Sequence, residues 1–345
     1  MEAREVTLVS ENFIKFVESK PKLKFMFTGG KGGVGKTISA AGIAYHFAEK
    51  GEKTLIVSLN PVHSLSSVFG QDLWGGQIKP VNGMDNLWAC EVDISETVNR
   101  YREQIARRLR EFMKWADIPI DPDPFIEVAT TNPAFEESAM FDDMVDIMIK
   151  QGEEYDRIIF DCAAVANAVR LLGLSKIYGL WLTRMMKSRE EALSLRVKLS
   201  FRKEKIIEEI KKDPMMADLL SMNERMKKAR VLLNDNEKTA FFFVTLPLAL
   251  PIAVVKRFIG MVKAFDIPVG GVFVNMVIPE STVRGRKVTE YLANKFKEQQ
   301  GYMQIISRDL GELVRAYIPM FPTEVTGLEM IKKVSDALIS GELPT

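Results

Sequence analysis

The segment Phe27–Thr37, FTGGKGGVGKT, constrains this chain more than any other. A short apolar run (KFMFTG, 24–29) leads into it, and a helix-like stretch (ISAAGIAYHFAEKG) follows. Strand, glycine loop and helix in that order make a cradle for phosphate. Glycines let backbone amides turn inward, and the helix N-terminus adds positive potential. The pattern assigns Gly30, Gly32, Gly33, Val34, Gly35, Lys36 and Thr37 to nucleotide binding. In such a loop the lysine, Lys36, reaches the β- and γ-phosphates and the Thr37 hydroxyl ligates Mg²⁺. A chance glycine-rich turn does not reproduce so long a match.

The rest of the chain has the rhythm of a parallel sheet. Short apolar runs recur as TLIVSL (54–59), LWACEV (87–92), RIIFDC (157–162), AFFFVTL (240–246), GGVFVNMV (270–277) and VRAYIPMF (314–321). Runs without polar alternation, separated by helix-length segments, are strands covered on both faces. Two stretches, 94–151 and 183–236, are long, charged and helical in pattern. They read as helical insertions into an α/β core made of 22–93, 152–182 and 237–345. Met140, Met144 and Met148 share one helix face, and Met185, Met186, Met215, Met216, Met222 and Met226 follow in the second insertion. Methionine adapts to irregular apolar partners; ordinary helical core is the better reading for any single one of them. FRKEKIIEEIKKD (201–213) reads as a solvated helix face.

Charge excludes some functions. The chain has 345 residues with 47 Lys+Arg against 46 Asp+Glu, a net charge of +1 that marks no nucleic-acid surface. The most apolar run, Ala240–Val255, is too short to span a membrane and is interrupted by Pro247 and Pro251; it reads as a buried strand followed by a loop. The N-terminus has no continuous apolar stretch, so it is not a signal peptide. With only Cys90 and Cys162 no disulfide framework exists, and a cytoplasmic protein without stable membrane insertion is expected. Both cysteines read as buried structural thiols. Of the two histidines, His46 reads as packing and His63 as part of the loop after TLIVSL.

The second lysine, Lys31, gives the loop the deviant form G-K-G-G-x-G-K-T, which resembles the MinD, ParA, nitrogenase-iron-protein and ArsA group of P-loop NTPases. NPVHSL (60–65) is similar to the D-P-A-H-S-L switch of the ArsA family, which comprises the arsenite-pump ATPase and the guided-entry ATPases that target tail-anchored membrane proteins. IIFDC (158–162) resembles its Walker B strand, EESAMFD (136–142) and EKTAFFFVTLPLALP (237–251) match further family segments, VNMVIPE (274–280) is similar to V-N-Q-L-I-P-E, and YIPMFPTEVTGLE (317–329) looks like its base-covering loop. The resemblance covers nearly the whole chain. It implies ATP and Mg²⁺ as cofactors, a homodimer in which Lys31 reaches the partner's phosphates, Asp161 in the Mg²⁺ shell, and Asn275, Pro319, Phe321 and Pro322 around adenine.

Departures from the family pattern bear on activity. Asn60 stands where the switch has an aspartate; an amide can hold a water but cannot take its proton. The second switch, D-T-A-P-T-G-H-T-L-R in the family, reads DCAAVANAVR (161–170), with Ala164, Val165, Ala166 and Asn167 in place of Pro, Thr, Gly and His. Ile38 and Val254 replace a threonine and a glutamate. Positions of the family's zinc-binding C-x-x-C carry Arg284 and Lys287, so no zinc is expected. Slow hydrolysis follows, and Asp93, Glu136 and Asp142 are the acids that could replace the missing one. The resemblance thus implies a homodimeric ATPase that closes on nucleotide to form a groove for the apolar helix of a client membrane protein. A pseudo-ATPase regulatory module is the alternative. An arsenite-pump subunit fits less well, because it needs clustered thiolates.

Overall fold

A computed structural model describes residues 11–60, 62, 64–115, 121, 123–130, 133–162, 183, 184, 187, 191, 194, 214–284 and 288–344. The chain divides into two compact units. One comprises Met1–Asp93, Lys150–Val169 and Leu233–Thr345, the other Ile94–Ile149 and Arg170–Leu232.

The first unit is built on an eight-stranded sheet. Its strands are β1 (Phe25–Gly30), β2 (Thr54–Leu59), β3 (Lys79–Pro80), β4 (Leu87–Glu91), β5 (Arg157–Cys162), β6 (Thr239–Thr245), β7 (Val269–Val277) and β8 (Val314–Pro319). Their order is β3-β4-β2-β5-β1-β6-β7-β8, parallel throughout except for the antiparallel edge pair β3–β4. The α/β parallel-sheet class expected from the sequence is therefore present. β1, β2 and β6 are buried along their whole length, as strands covered by helices on both faces must be. β3 carries no apolar run, and its two residues pair only through the backbone, which hides it from sequence patterning.

Helices α1 (Phe13–Glu18), α2 (Lys36–Glu49), α3 (Ser64–Phe69), α8 (Ala249–Ala264), α9 (Glu290–Leu310) and α10 (Gly327–Ser340) belong to this unit. Asn12 caps α1 by accepting from Lys15 N at 3.0 Å, satisfying one of the first-turn amides that have no helical partner. The cap delivers Phe13, fully buried, edge-on against Phe242 and Phe273, with ring centroids 5.4 and 5.6 Å away. α2 and α10 pack closely because α2 carries Gly42, where a Cβ would lie 2.9 Å from Val334 Cγ1.

The loop expected after the β6 strand is instead helix α8. Pro251 occupies the first turn of α8, where no intrahelical amide bond is needed, so proline starts this helix rather than breaking it.

The second unit is helical in its described part: α4 (Ile94–Trp115), α5 (Asp123–Thr130), α6 (Pro133–Lys150) and α7 (Pro214–Asn234), with α6 running one residue into the first unit. Val98, Phe135 and Ala139 form a small core with Ile94, Tyr101 and Ile105 packed against it. Arg225 ties α7 to α6 through Asp142 at 2.9 Å and Asp146 at 2.5 Å. Met140, Met144 and Met148 are all buried. Met222 is half-buried and Met226 buried, whereas Met185, Met186 and the 201–213 run lie outside the described residues. No described helix is long and apolar enough to cross a membrane.

Candidate functional site

The site gathers at the carboxyl ends of the parallel strands, where open α/β sheets place their ligands. β1 ends at Gly30, packed so closely on β6 that a Cβ would lie 2.5 Å from Val244 O. The chain then turns through 31–35 into α2. Gly35 has φ 92° and ψ 32°, a left-handed conformation that a side chain resists. Across from it, Asn275 on β7 is 1% exposed, and its Nδ2 donates to Val34 O at 2.9 Å. A Cβ on Gly35 would stand 2.1 Å from that nitrogen. The asparagine that the resemblance assigns to adenine is thus engaged with the phosphate loop, which it pins to β7.

Lys36 is buried, and its Nζ donates to Lys31 O at 3.4 Å. Burial pulls its pKa below the ordinary lysine value, and the nearby Asp161 charge opposes that shift. Asp161, fully buried near the end of β5, accepts through Oδ2 from Thr37 Oγ1 at 2.7 Å and from Ser64 Oγ at 3.3 Å. Its Oδ1 is buried without a hydrogen-bond partner. Burial pushes this carboxyl up to about 6; the Thr37 bond, the Lys36 charge and the Ser64 bond offset part of the effect. A buried carboxylate with an orphan oxygen costs free energy unless something cationic meets it. Hydroxyl and carboxylate oxygens are the hard donors that suit Mg²⁺, so Thr37 and Asp161 fit the ion the sequence predicts.

Asn60 N donates to Ser58 Oγ at 3.2 Å, and Ser58 Oγ lies 3.3 Å from Ser64 Oγ. The Asn60 side chain lines a cleft of about 390 Å³ together with Gly33, Gly35, Lys36, Thr37, Asn275, Pro319 and Phe321. Val34 is buried beneath the loop, while Lys31, Gly32 and Pro322 are exposed and do not line the cleft. Met276 and Met320, which sequence reasoning did not single out, line its mouth, each 44% exposed. Met276 adopts φ 54°, next to an irregularity in the β7–β8 pairing. Ser58, Ser64 and Glu91 were also missed as site residues. The one signal for Glu91 is a carboxylate inside the otherwise apolar run LWACEV.

Other expectations resolve individually. Asp93 is half-buried just after β4, Glu136 is exposed on α6, and Asp142 is paired with Arg225 within the second unit. Cys90 and Cys162 are buried and not joined in a disulfide, and burial raises the Cys162 thiol far above its ordinary pKa. Arg284 pairs with Glu280 at 3.1 Å. The second switch (163–170), His63 and Lys287 lie outside the described residues.

Comparison with known proteins agrees with this geometry. A model of the family described as anion-transporting ATPase matches residues 23–340. The chain belongs to the anion-transporting ATPase family. ATPase GET3B of Arabidopsis thaliana is 29% identical over 359 residues, covering 98% of this chain and 84% of the relative. Putative arsenical pump-driving ATPase 2 of Aquifex aeolicus is 28% identical over 321 residues, 92% of this chain and 100% of the relative. ATPase ASNA1 homolog 2 of Paramecium tetraurelia is 27% identical over 332 residues, 95% and 97% of the two chains. The family match spans sheet, phosphate loop and both stretches of the helical unit, so the deviant loop and the Walker B strand are those of a member of this ATPase family.

Proposed function

We propose that the chain binds ATP with Mg²⁺ as a homodimeric ATPase that targets membrane proteins, nucleotide-driven closure forming a groove for an apolar client helix. The observation that carries the nucleotide reading is the Thr37–Asp161 pair, whose buried Oδ1 lacks a partner beside the equally buried Lys36. In this reading the loop amides from Gly30 to Gly35 hold the phosphates, Lys36 neutralises their charge, and Lys31, exposed, reaches the partner's phosphates. Mg²⁺, held by Thr37 and Asp161, would supply charge stabilisation for phosphoryl transfer. The side chains at the cleft mouth, Pro319, Met320 and Phe321, offer an apolar surface for the base, with Pro322 following in the same loop. Asn60 orients a water without accepting its proton, so hydrolysis is slow; positioned acid–base groups contribute on the order of 10²–10⁴-fold.

Relatives carry both GET3 or ASNA1 names and arsenical pump-driving names, so the preference for targeting over arsenite transport rests on Cys90 and Cys162, which are buried and offer no exposed thiolate pair. The buried methionine face of α6 gives the groove no support, so a client surface would have to come from other parts of the helical unit. One observation favours the alternative of a nucleotide-bound regulatory module: Asn60 lines the cleft itself.

The test is phosphate release with Mg-ATP by wild type, Lys36→Ala and Asn60→Asp, alongside ATP binding. Release by wild type above the Lys36→Ala background supports a slow ATPase. Tight binding with release only from Asn60→Asp supports the regulatory module. Absence of ATP binding by wild type overturns both readings.

A further inference from the structure

We propose that Glu91 is a positioning residue for this site, holding the segment 64–76 against the sheet so that Ser64 meets the Thr37–Asp161 pair. The inference rests on the nucleotide reading above and concerns a residue outside the phosphate loop and both switches.

Glu91 ends β4 and is 2% exposed. Its side chain does what few buried carboxylates are asked to do. Oε1 accepts from Leu65 N at 2.6 Å and Ser66 N at 3.1 Å, and Oε2 accepts from the Ser66 hydroxyl. Those amides belong to the first turn of α3, which has no helical acceptor for them. Ser66 Oγ in turn accepts from Leu73 N at 3.0 Å. The Glu91 backbone holds the far end of the same segment: its amide donates to Leu73 O at 3.4 Å and its carbonyl accepts from Gly76 N at 2.9 Å. One residue therefore fastens both ends of the excursion between β2 and β3.

That excursion carries Ser64, which reaches the same Asp161 oxygen as Thr37. Ser64 precedes the first amide that Glu91 binds, so a shift of α3 moves its hydroxyl off Asp161. Ser64 also touches Ser58, which holds the Asn60 backbone. The path from Glu91 to the metal-binding pair runs through Leu65 N, Ser64 and Asp161. A bystander carboxylate satisfying local amides would stabilise α3 and do nothing else. A positioning residue must alter the metal-dependent part of nucleotide affinity more than the rest, because its route to the site ends on Asp161.

Hydrogen–deuterium exchange and ATP binding on the full chain, with and without Mg²⁺, separate the two. The proteins are wild type, Glu91→Gln, Glu91→Asp and Ser66→Ala. In Glu91→Gln the Leu65 and Ser66 amides should exchange about tenfold faster, the scale of one weakened buried hydrogen bond, while β1 and β6 amides hold. ATP affinity without Mg²⁺ should stay near wild type, and the gain in affinity on adding Mg²⁺ should shrink by about tenfold. Ser66→Ala should show the same pattern more weakly, and Glu91→Asp should recover part of the Mg²⁺ gain because its charge is kept. An undiminished Mg²⁺ gain in Glu91→Gln overturns the proposal, as does an equal loss with and without Mg²⁺. If Glu91→Gln does not fold, Ser66→Ala is read by the same two criteria. Wild type that binds no ATP refutes the nucleotide reading instead, and the exchange data still report whether Glu91 holds the segment.

Discussion

Replacing Gly35 by alanine should unfold part of the nucleotide site even when no nucleotide is present. Two costs add. The residue sits at φ 92°, where a Cβ meets the backbone and costs roughly 1–2 kcal/mol. The same Cβ would stand 2.1 Å from Asn275 Nδ2 and 3.2 Å from two atoms of Ile38. Asn275 cannot stay in place, so its buried bond to Val34 O is lost, leaving a donor and an acceptor unsatisfied at about 1–3 kcal/mol. Together the apo protein loses roughly 2–5 kcal/mol, which for a unit of this size lowers Tm by roughly 4–20 °C. Gly32→Ala is the control, because nothing lies within 4 Å of the Cβ it would add. Thermal unfolding of both variants without nucleotide, followed by ATP titration, is the assay. Equal melting of Gly35→Ala and wild type would show that the Asn275 clamp and the left-handed turn are not real constraints.

Phe13→Ala should cost about 3–5 kcal/mol by emptying the pocket against Phe242 and Phe273, read as a drop in urea midpoint; an unchanged midpoint would mean that α1 is not part of the cooperative core. Burial, with help from Lys50, lowers His46 from its ordinary value of 6.5 to about 4, and its Nε2 is buried without a partner. The unfolded chain therefore binds the proton first, and stability is full above pH 6.5 and falls as pH drops towards 4, by roughly 2–3 kcal/mol from this group. Denaturant titrations at pH 7 and pH 4.5 should show that slope flattened in His46→Leu; an identical slope would remove His46 as its source. Cys90 and Cys162 are buried, so a thiol reagent should label neither before unfolding, and stoichiometric labelling of the native protein would contradict the packing of β4 and β5.

What could be read from the sequence, and what could not, divides by the range of the interaction. Strands β1, β2, β4 to β8 announce themselves because a strand buried on both faces must be apolar along its length. The phosphate loop announces itself because its pattern is local, with Gly33 and Gly35 in the left-handed backbone that favours glycine. The Asn275–Val34 bond joins residues 241 positions apart, and no local pattern records it. Glu91 is similar: its partners Leu65 and Ser66 lie across a turn of sheet and helix, and a glutamate at a strand end has no signature of its own. The α8 helix was misread as a loop because proline was weighed as a breaker without its position in the first turn. The methionines at 140, 144 and 148 showed a shared face correctly, but a shared apolar face is buried as readily as it is offered to a partner, and here it is buried.

A buried carboxylate and a buried ammonium stand side by side where the phosphate loop meets β5, and this pair favours a bound ligand over residual drift. Asp161 Oδ1 has no hydrogen-bond partner among the described residues, and Lys36 is buried near that carboxylate with one long bond to a carbonyl. Each is costly in the isolated chain, and native proteins accept such costs chiefly at functional sites. A phosphate with its cation would meet both needs: Asp161 would face the cation and Lys36 the anion. A chain that had lost its nucleotide would have no reason to keep these groups unsatisfied, since Asp161→Asn or Lys36→Met would relieve the strain in one step. Asn60 is different in kind. It is half-buried, its backbone is hydrogen-bonded, and nothing about it is strained. On the proposed function, a site that keeps Asp161 and Lys36 but carries Asn60 would hold nucleotide more readily than it turns it over.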